Sequence, residues 1–249
     1  METSAKERVA ALEAELAALR AEMQQFTYTV SHDLRAPLRH ITSFAQLVQE
    51  DAGPLLTTEV QGFLATMSES ARHMGVLLDA LVELSRIGAM PLHVDTVELL
   101  PVVRGVCGEL AAKYPQRILE WRLPEQLPAV QADAGLLRLV LTHILGNAAK
   151  FTAPRAVGVV EVIGLPSTED RGVLEIAVAD NGVGFNPALQ DRLFKVFGRL
   201  HSAREFEGLG MGLALSRKAL YRLHGAVEIE AVQKAGCRVR LVLPRAPDR

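Results

Sequence analysis

The chain has 249 residues, 49% of them hydrophobic and 22% charged, with a formal net charge of −2. This is the balance of an ordinary globular protein of one or two domains, without the basic excess that nucleic acid would require. No apolar run reaches the roughly 18 residues of a membrane span, and the charged start of the sequence is not expected to act as a signal peptide.

Val9, Leu12, Leu16, Leu19, Met23, Phe26 and Val30 alternate at intervals of three and four, which predicts a coiled-coil seam. In that register Arg8 of one copy faces Glu13 of another, and Glu15 faces Arg20. Opposite charges at these positions predict a parallel homodimer. Each exposed pair contributes only about 0.2–1 kcal/mol, so the charges set orientation more than stability.

The seam stutters at Asp33 and resumes as Leu34, Leu38, Ile41, Ala45 and Val48 until Asp51-Ala52-Gly53-Pro54 breaks the helix. A second helix carries Val60, Leu64, Met67, Ala71, Met74, Leu78, Leu81 and Ser85 on one stripe, widened by Phe63, Leu77 and Leu84. A hairpin with faces this wide cannot cover itself, and two hairpins would close a four-helix bundle. The helical pattern ends around Gly88 to Pro91.

Beyond Val94 the chain alternates helices with strand-like runs. Helices are predicted over 97–110, 134–150 and 212–224, and strands over 118–123, 157–163, 173–179, 226–231 and 237–243. The mixture indicates an α/β layered domain. Cys107 and Cys237 are far apart and lack metal-ligand spacing, which reads as two structural thiols in a reducing cytosol.

Chemistry enters at Ser31-His32-Asp33-Leu34-Arg35-Ala36-Pro37-Leu38. His32 lies where the seam stutters, so solvent exposure is expected. Imidazole is a good nucleophile near neutral pH if one ring nitrogen stays unprotonated. Asp33 can accept the other ring N–H. Pro37 removes a hydrogen bond and crowds the carbonyl of Asp33, so a bend beside the histidine is expected.

Three more segments follow: His143 to Thr152, Asp180-Asn181-Gly182-Val183-Gly184-Phe185 and Gly208-Leu209-Gly210-Met211-Gly212-Leu213. Asn147 and Lys150 share a helix face, placing an oxygen ligand for a hard cation beside a cationic phosphate contact. A carboxylate at Asp180, at the end of a strand, can accept a hydrogen bond from an exocyclic amine such as that of adenine. Gly182 and Gly184 allow a tight turn there. Gly208, Gly210 and Gly212 expose N–H groups just before a helix, an arrangement that suits an anion.

These segments, over roughly residues 27 to 245, resemble the conserved boxes of the two-component sensor histidine kinases, in a variant similar to kinases with PAS or phytochrome-type sensors. The resemblance implies a signalling coil (1–26), a dimerisation and histidine-phosphotransfer hairpin (27–92) and an α/β sandwich that binds ATP (93–246). It implies His32 as phosphoacceptor, Asp33 as its activating carboxylate, Asn147 as the Mg²⁺ ligand and Lys150 at the phosphates. Asp180 would hold the adenine amino group and Phe151 would pack near the base. Phe194 and Phe197 look like the box at the root of a mobile lid spanning roughly 186–208, and Arg199 would reach toward the terminal phosphates. The implied partners are a second copy, a response-regulator receiver domain and an upstream sensory domain or protein, in the cytoplasm.

Three positions depart from the family pattern: His143 and Leu209 where asparagine and threonine are common, and Ala36 where a threonine or asparagine often orients water for phosphatase chemistry. The His143 departure leaves a degenerate, scaffold-like pseudokinase as the alternative reading.

Overall fold

The computed structural model describes residues 2–165, 172–202 and 205–247, without the side chains of residues 2–6, 9 and 13. Val9 of the expected seam and Glu13 of the expected charge pairs therefore lie outside the described side chains. The chain divides into two compact units, Met1–Met90 and Pro91–Arg249.

The first unit is a helical hairpin. Helix α1 (Glu2–Ala52) and helix α2 (Thr58–Ala89) pack along one another, joined by a 3-10 turn at Gly53–Leu55. The break falls at the expected place because Pro54 cannot continue α1. Thr57 then caps α2 by accepting a hydrogen bond from the Val60 amide at 3.3 Å. The Gln61 amide group donates to the Gly53 carbonyl at 2.7 Å, tying the turn back onto α2. An ion pair of 2.6 Å between Arg35 and Asp79 links the two helices.

The bend expected at Pro37 does not interrupt α1, which stays helical from end to end. A long helix already held by a partner helix can accommodate one missing hydrogen bond. In the hairpin the small side chains of Ser31, Ala45, Ala71 and Ala80 are buried, together with Ile87. Large apolar groups are left on the outside: Leu12, Met23, Phe26, Phe44, Phe63 and Met67 all remain at least half exposed. As the residue pattern indicated, this hairpin does not cover its own apolar face.

The second unit is an α/β layer. Strands β1 (Val94–Val97) and β3 (Val130–Asp133) form an antiparallel pair. The main sheet runs β2–β4–β5–β7–β6, where β2 is Leu119–Arg122, β4 Gly158–Gly164, β5 Val173–Asp180, β6 Ala226–Val232 and β7 Gly236–Pro244. Only the β2–β4 pairing is parallel. Helices α4 (Ala134–Phe151) and α5 (Gly212–Arg222) lie against the sheet, and α3 (Leu99–Lys113) packs on α4.

Burial alternates along β4 and along β7, so one sheet face meets the helices. Leu137, Leu141, Ile144 and Leu145 of α4 are fully buried, as are Ile176, Leu241 and Leu243 of the sheet. Asp133 fixes the start of α4: one carboxylate oxygen accepts from the Leu136 amide and the other from the His93 amide, both at 3.0 Å.

Sequence pattern missed β1 and β3 and began α3 at Val97, whereas that residue ends β1 and the helix starts at Leu99. Each missed strand is four residues long with no longer run around it, unlike β2, which lies within the predicted run 118–123. Both thiols are free, and burial pushes Cys107 up to about 11. Burial, aided by the charge of Asp180, pushes Cys237 up to about 12.

Gly236 opens β7 with φ of 117°, and a Cβ there would run into the carbonyl of Asp180. Gly236→Ala is expected to cost about 2–4 kcal/mol of stability. Chemical denaturation of the variant and the parent would measure it.

Candidate functional site

In the first unit, His32 sits near the middle of α1 with its side chain 70% exposed. Its Nδ1 lies 3.1 Å from Oδ1 of Asp33, the neighbour expected to accept the ring proton. With Nδ1 carrying hydrogen toward that carboxylate, Nε2 keeps its lone pair for an electrophile. The ring of Tyr28, one turn earlier, stands 6.4 Å from the imidazole at an interplanar angle of 24°. Ser31 turns the other way, buried and with no hydrogen-bond partner for its hydroxyl.

In the second unit, one face of α4 and the facing side of α3 enclose a cleft of about 550 Å³. Thr142, His143, Gly146, Asn147 and Lys150 line it from α4, and Glu109, Leu110 and Lys113 line it from α3. Glu207 and Gly208 close one side. The three-residue offset of Asn147 and Lys150 is what brings amide and ammonium into one wall. Burial, with help from Arg199, lowers the Lys150 pKa from its ordinary value. An ammonium held away from water in this way gains more from an anion than one in solvent.

Asp180, Arg199 and Phe151 fall outside the cleft lining, but the structure ties them to its rim. Asp180 ends β5 and accepts a hydrogen bond from the Gly182 amide at 2.8 Å. Burial raises its carboxyl to about 6. The next turn is fastened to the end of α4: the Val183 amide donates to the Phe151 carbonyl at 3.2 Å. A Cβ on Gly182 would stand 2.6 Å from that same carbonyl, so the close approach requires glycine. Gly184 has φ of 58°.

Arg155 staples this turn, donating to the carbonyls of Asn181 at 2.7 Å, Gly182 at 3.1 Å and Lys234 at 2.5 Å. Arg199, expected to reach toward phosphates, instead donates to the carbonyls of Phe206, at 2.7 Å, and Gly208. Gly208 and Gly210 have φ of 121° and 73°. A Cβ at Gly208 would lie 3.4 Å from the Lys150 ammonium. That places the glycine-rich segment against the α4 lysine.

Several contributors escaped the sequence reading. His201 and Phe206 pack with Phe151 in an aromatic trio, with centroid separations of 5.0–5.3 Å. His201 Nε2 also lies 3.0 Å from the Gly184 carbonyl. The Lys150 ammonium stands 4.5 Å over the Phe151 ring. No periodicity marks His201 or Phe206, because both lie in irregular chain between Gly198 and α5. Lys113, which is paired with Glu207 at 3.7 Å, was missed for a different reason: it lies beyond the helix predicted over 97–110 and belongs to no motif.

As to a metal, no group of three His, Cys, Asp or Glu side chains among the described residues could hold an ion by itself. The residues present fit a cation that arrives with phosphates. Magnesium keeps several waters and takes other oxygens from its substrate, so a wall that offers one amide oxygen, as Asn147 does, is compatible with it.

Comparison with known proteins agrees with both units. Residues 22–89 match the family described as the His Kinase A (phospho-acceptor) domain. Residues 132–247 match the family described as histidine kinase-, DNA gyrase B-, and HSP90-like ATPase. Cyanobacterial phytochrome A of Nostoc is 29% identical over 90% of this chain and 29% of its own length. The methanogenesis regulatory histidine kinase FilI of Methanothrix harundinacea is 30% identical over 92% of this chain and 25% of its own. The chain thus spans less than a third of these relatives.

Among solved structures, full-length ShkA in complex with AMPPNP is 27% identical with a TM-score of 0.63, covering 90% of this chain and 46% of that one. No helix among the described residues is long and apolar enough to cross a membrane. A phospho-acceptor helical domain followed on one chain by an ATP-binding α/β domain, with relatives aligned across nine-tenths of it, makes this protein a histidine kinase core of the two-component sensor family.

Proposed function

We propose that this chain phosphorylates its own His32 from Mg-ATP and passes the phosphoryl group to an aspartate of a response-regulator receiver domain. The observation that carries the proposal is the hydrogen-bonded pair of His32 and Asp33 on an exposed helix face. In the proposed step, Nε2 of His32 forms a bond to the γ-phosphorus as the bond to the bridging oxygen of ADP breaks. The carboxylate of Asp33 stabilises the positive charge that grows on the ring.

An ATP-binding domain of residues 93–246, within the second unit, would hold the nucleotide. Asn147 would ligate the cation and Lys150 would contact the phosphates. Phe151, Asp180 and the turn at Gly182 and Gly184 would receive the base, and the segment at Gly208, Gly210 and Gly212 would close over the phosphates. Bound magnesium would neutralise charge on the phosphates. The protein's contribution is positioning and electrostatics rather than covalent chemistry of its own. Arg199 would have to exchange its carbonyl partners to reach the terminal phosphates.

Residues 27–92 would form a four-helix bundle with those of a second copy, continued by the coil of residues 1–26. The exposed apolar groups of the hairpin support that pairing. The receiver domain would dock on this bundle near His32. A sensory domain or protein would act upstream, and the site of action would be the cytoplasm.

The test is incubation with γ-phosphate-labelled ATP. Alkali-stable, acid-labile label on the protein supports the proposal, and a chain that binds ATP without acquiring label is a scaffold instead. Asn147→Asp is expected to lose the phosphoryl step while retaining most ADP binding, since a ligand to the cation acts chiefly on the transferring group. Calorimetry with ADP beside the labelling assay would check this.

A further inference from the structure

Arg155 belongs to none of the motifs, yet its guanidinium meets main-chain carbonyls from two separate stretches of chain. It donates to Asn181 at 2.7 Å and Gly182 at 3.1 Å in the turn after β5, and to Lys234 at 2.5 Å between β6 and β7.

A trans peptide carries its C=O and the following N–H on opposite sides, so a group that grips one end aims the other. The peptide that begins with the Asn181 carbonyl ends in the Gly182 N–H, which donates to Asp180 Oδ1 at 2.8 Å. The peptide that begins with the Gly182 carbonyl ends in the Val183 N–H, which donates to the Phe151 carbonyl at 3.2 Å. A cation at one end of a peptide and a carboxylate at the other polarise the unit between them and strengthen both hydrogen bonds. Arg155 thus meets Asp180 through a single peptide. A carboxylate whose Oδ1 is held in this way is aimed in advance for an exocyclic amine, which lowers the ordering cost of binding.

The third carbonyl ties in a further element. Lys234 lies in the turn from β6 to β7 with φ of 67°. Its amide donates to the Val183 carbonyl at 2.6 Å, while its own carbonyl accepts from Arg155. On the β4 side, the Asn181 side-chain oxygen accepts from the Val159 amide at 2.9 Å. The turn is therefore fastened to α4, to β4 and to the β6–β7 hairpin, and Arg155 bridges it to the last of these. Building on the nucleotide-site reading above, we infer that Arg155 is a positioning residue for base recognition: it aims the Gly182 amide at Asp180 and locks the turn that would receive adenine against the β6–β7 hairpin.

The full chain is tested by calorimetry with ADP and by labelling at varied concentrations of γ-phosphate-labelled ATP. In Arg155→Ala, ADP affinity and the KM for ATP should each worsen about tenfold, the lower end for a charge-assisted hydrogen bond, with kcat within about twofold of the parent. Arg155→Lys keeps the charge but not the planar fork, and should lose about threefold. In an Asp180→Asn background, Arg155→Ala should add less than about threefold, because both residues act on one contact. Hydrogen exchange should quicken at the Gly182, Val183 and Lys234 amides in both variants, while the core of α4 stays protected.

Arg155→Lys carries the test if the alanine variant does not fold. A residue that only supported the fold would lower kcat at unchanged KM and loosen the whole domain, and that result overturns the inference. Full ADP affinity in Arg155→Ala, with weak binding by Asp180→Asn, also overturns it and leaves the nucleotide reading standing. Equal affinity of the parent, Arg155→Ala and Asp180→Asn overturns the base-site reading along with it.

Discussion

His32→Gln is expected to abolish incorporation of labelled phosphate, to below a hundredth of the parent's rate, while ADP binding stays unchanged. Glutamine approximates the bulk of imidazole but offers an amide nitrogen whose lone pair is delocalised, so no nucleophile remains. Fold should be retained, because His32 is largely exposed and its polar contact is with the neighbouring Asp33. Full labelling of the variant would move the acceptor to another of the seven histidines. Asp33→Asn sharpens the test. It keeps a ring partner but removes the charge that stabilises a developing imidazolium, so a partial loss of rate is expected with nucleotide affinity intact.

Asp180→Asn is expected to act in opposite directions on binding and on stability. Against ATP or ADP, loss of a charge-assisted hydrogen bond should cost about 1.5–3 kcal/mol, roughly ten- to 150-fold in affinity. In the unliganded protein the sign reverses. Burial raises this carboxyl from 3.8 to about 6, so the native state binds the proton more tightly than the unfolded chain does. The associated stability is present below the unfolded value and is lost as pH rises through about 6.

At pH 7.5 the ionised, buried carboxylate is therefore a cost, of about 2–3 kcal/mol. Asparagine can still accept from the Gly182 amide and carries no charge. The variant should accordingly melt higher than the parent at pH 7.5, with the difference vanishing toward pH 4. Nucleotide binding by the parent should weaken as pH falls through about 6, and that dependence should flatten in the variant. Calorimetry across pH 5–8 and thermal melts without ligand read out both. Unchanged affinity at pH 7.5 would remove the proposed role at adenine, whatever the melts show.

Such a trade is common where function needs a charge in a place that folding alone would leave neutral. The same logic applies to Lys150, whose ammonium is discouraged by burial and by nearby Arg199. A phosphate arriving in the cleft offsets both terms at once. The unliganded protein therefore holds a carboxylate and an ammonium that are each at odds with their surroundings.

Periodicity along the chain was enough to determine the two-helix hairpin, its break at Gly53-Pro54 and the uncovered apolar face. Those features depend on side chains three, four and seven residues apart, and on a proline that cannot extend a helix. It also sufficed for α4, α5 and the long strands β4 to β7, where core-facing residues recur often enough to reveal a period. The co-occurrence of His32-Asp33, Asn147-Lys150, Asp180 and the two glycine groups identified the family, because each is a local pattern whose chemistry shows in residue type and spacing.

Only the tertiary structure decided which residues complete the candidate nucleotide site. His201 and Phe206 meet Phe151 through chain folding across some fifty residues of sequence, and no local pattern encodes that meeting. Lys113 and Glu109 became cleft walls because α3 packs against α4. β1 and β3 exist because each supplies the other's hydrogen bonds, not because four residues prefer to be extended. Arg199 was assigned to phosphates by its position in a motif, yet it holds loop carbonyls here, since a guanidinium satisfies whichever acceptors the fold brings within reach. Spacing along one helix or strand is fixed by backbone geometry and can be read from the chain. Contacts between elements depend on how their surfaces fit, which only the folded arrangement specifies.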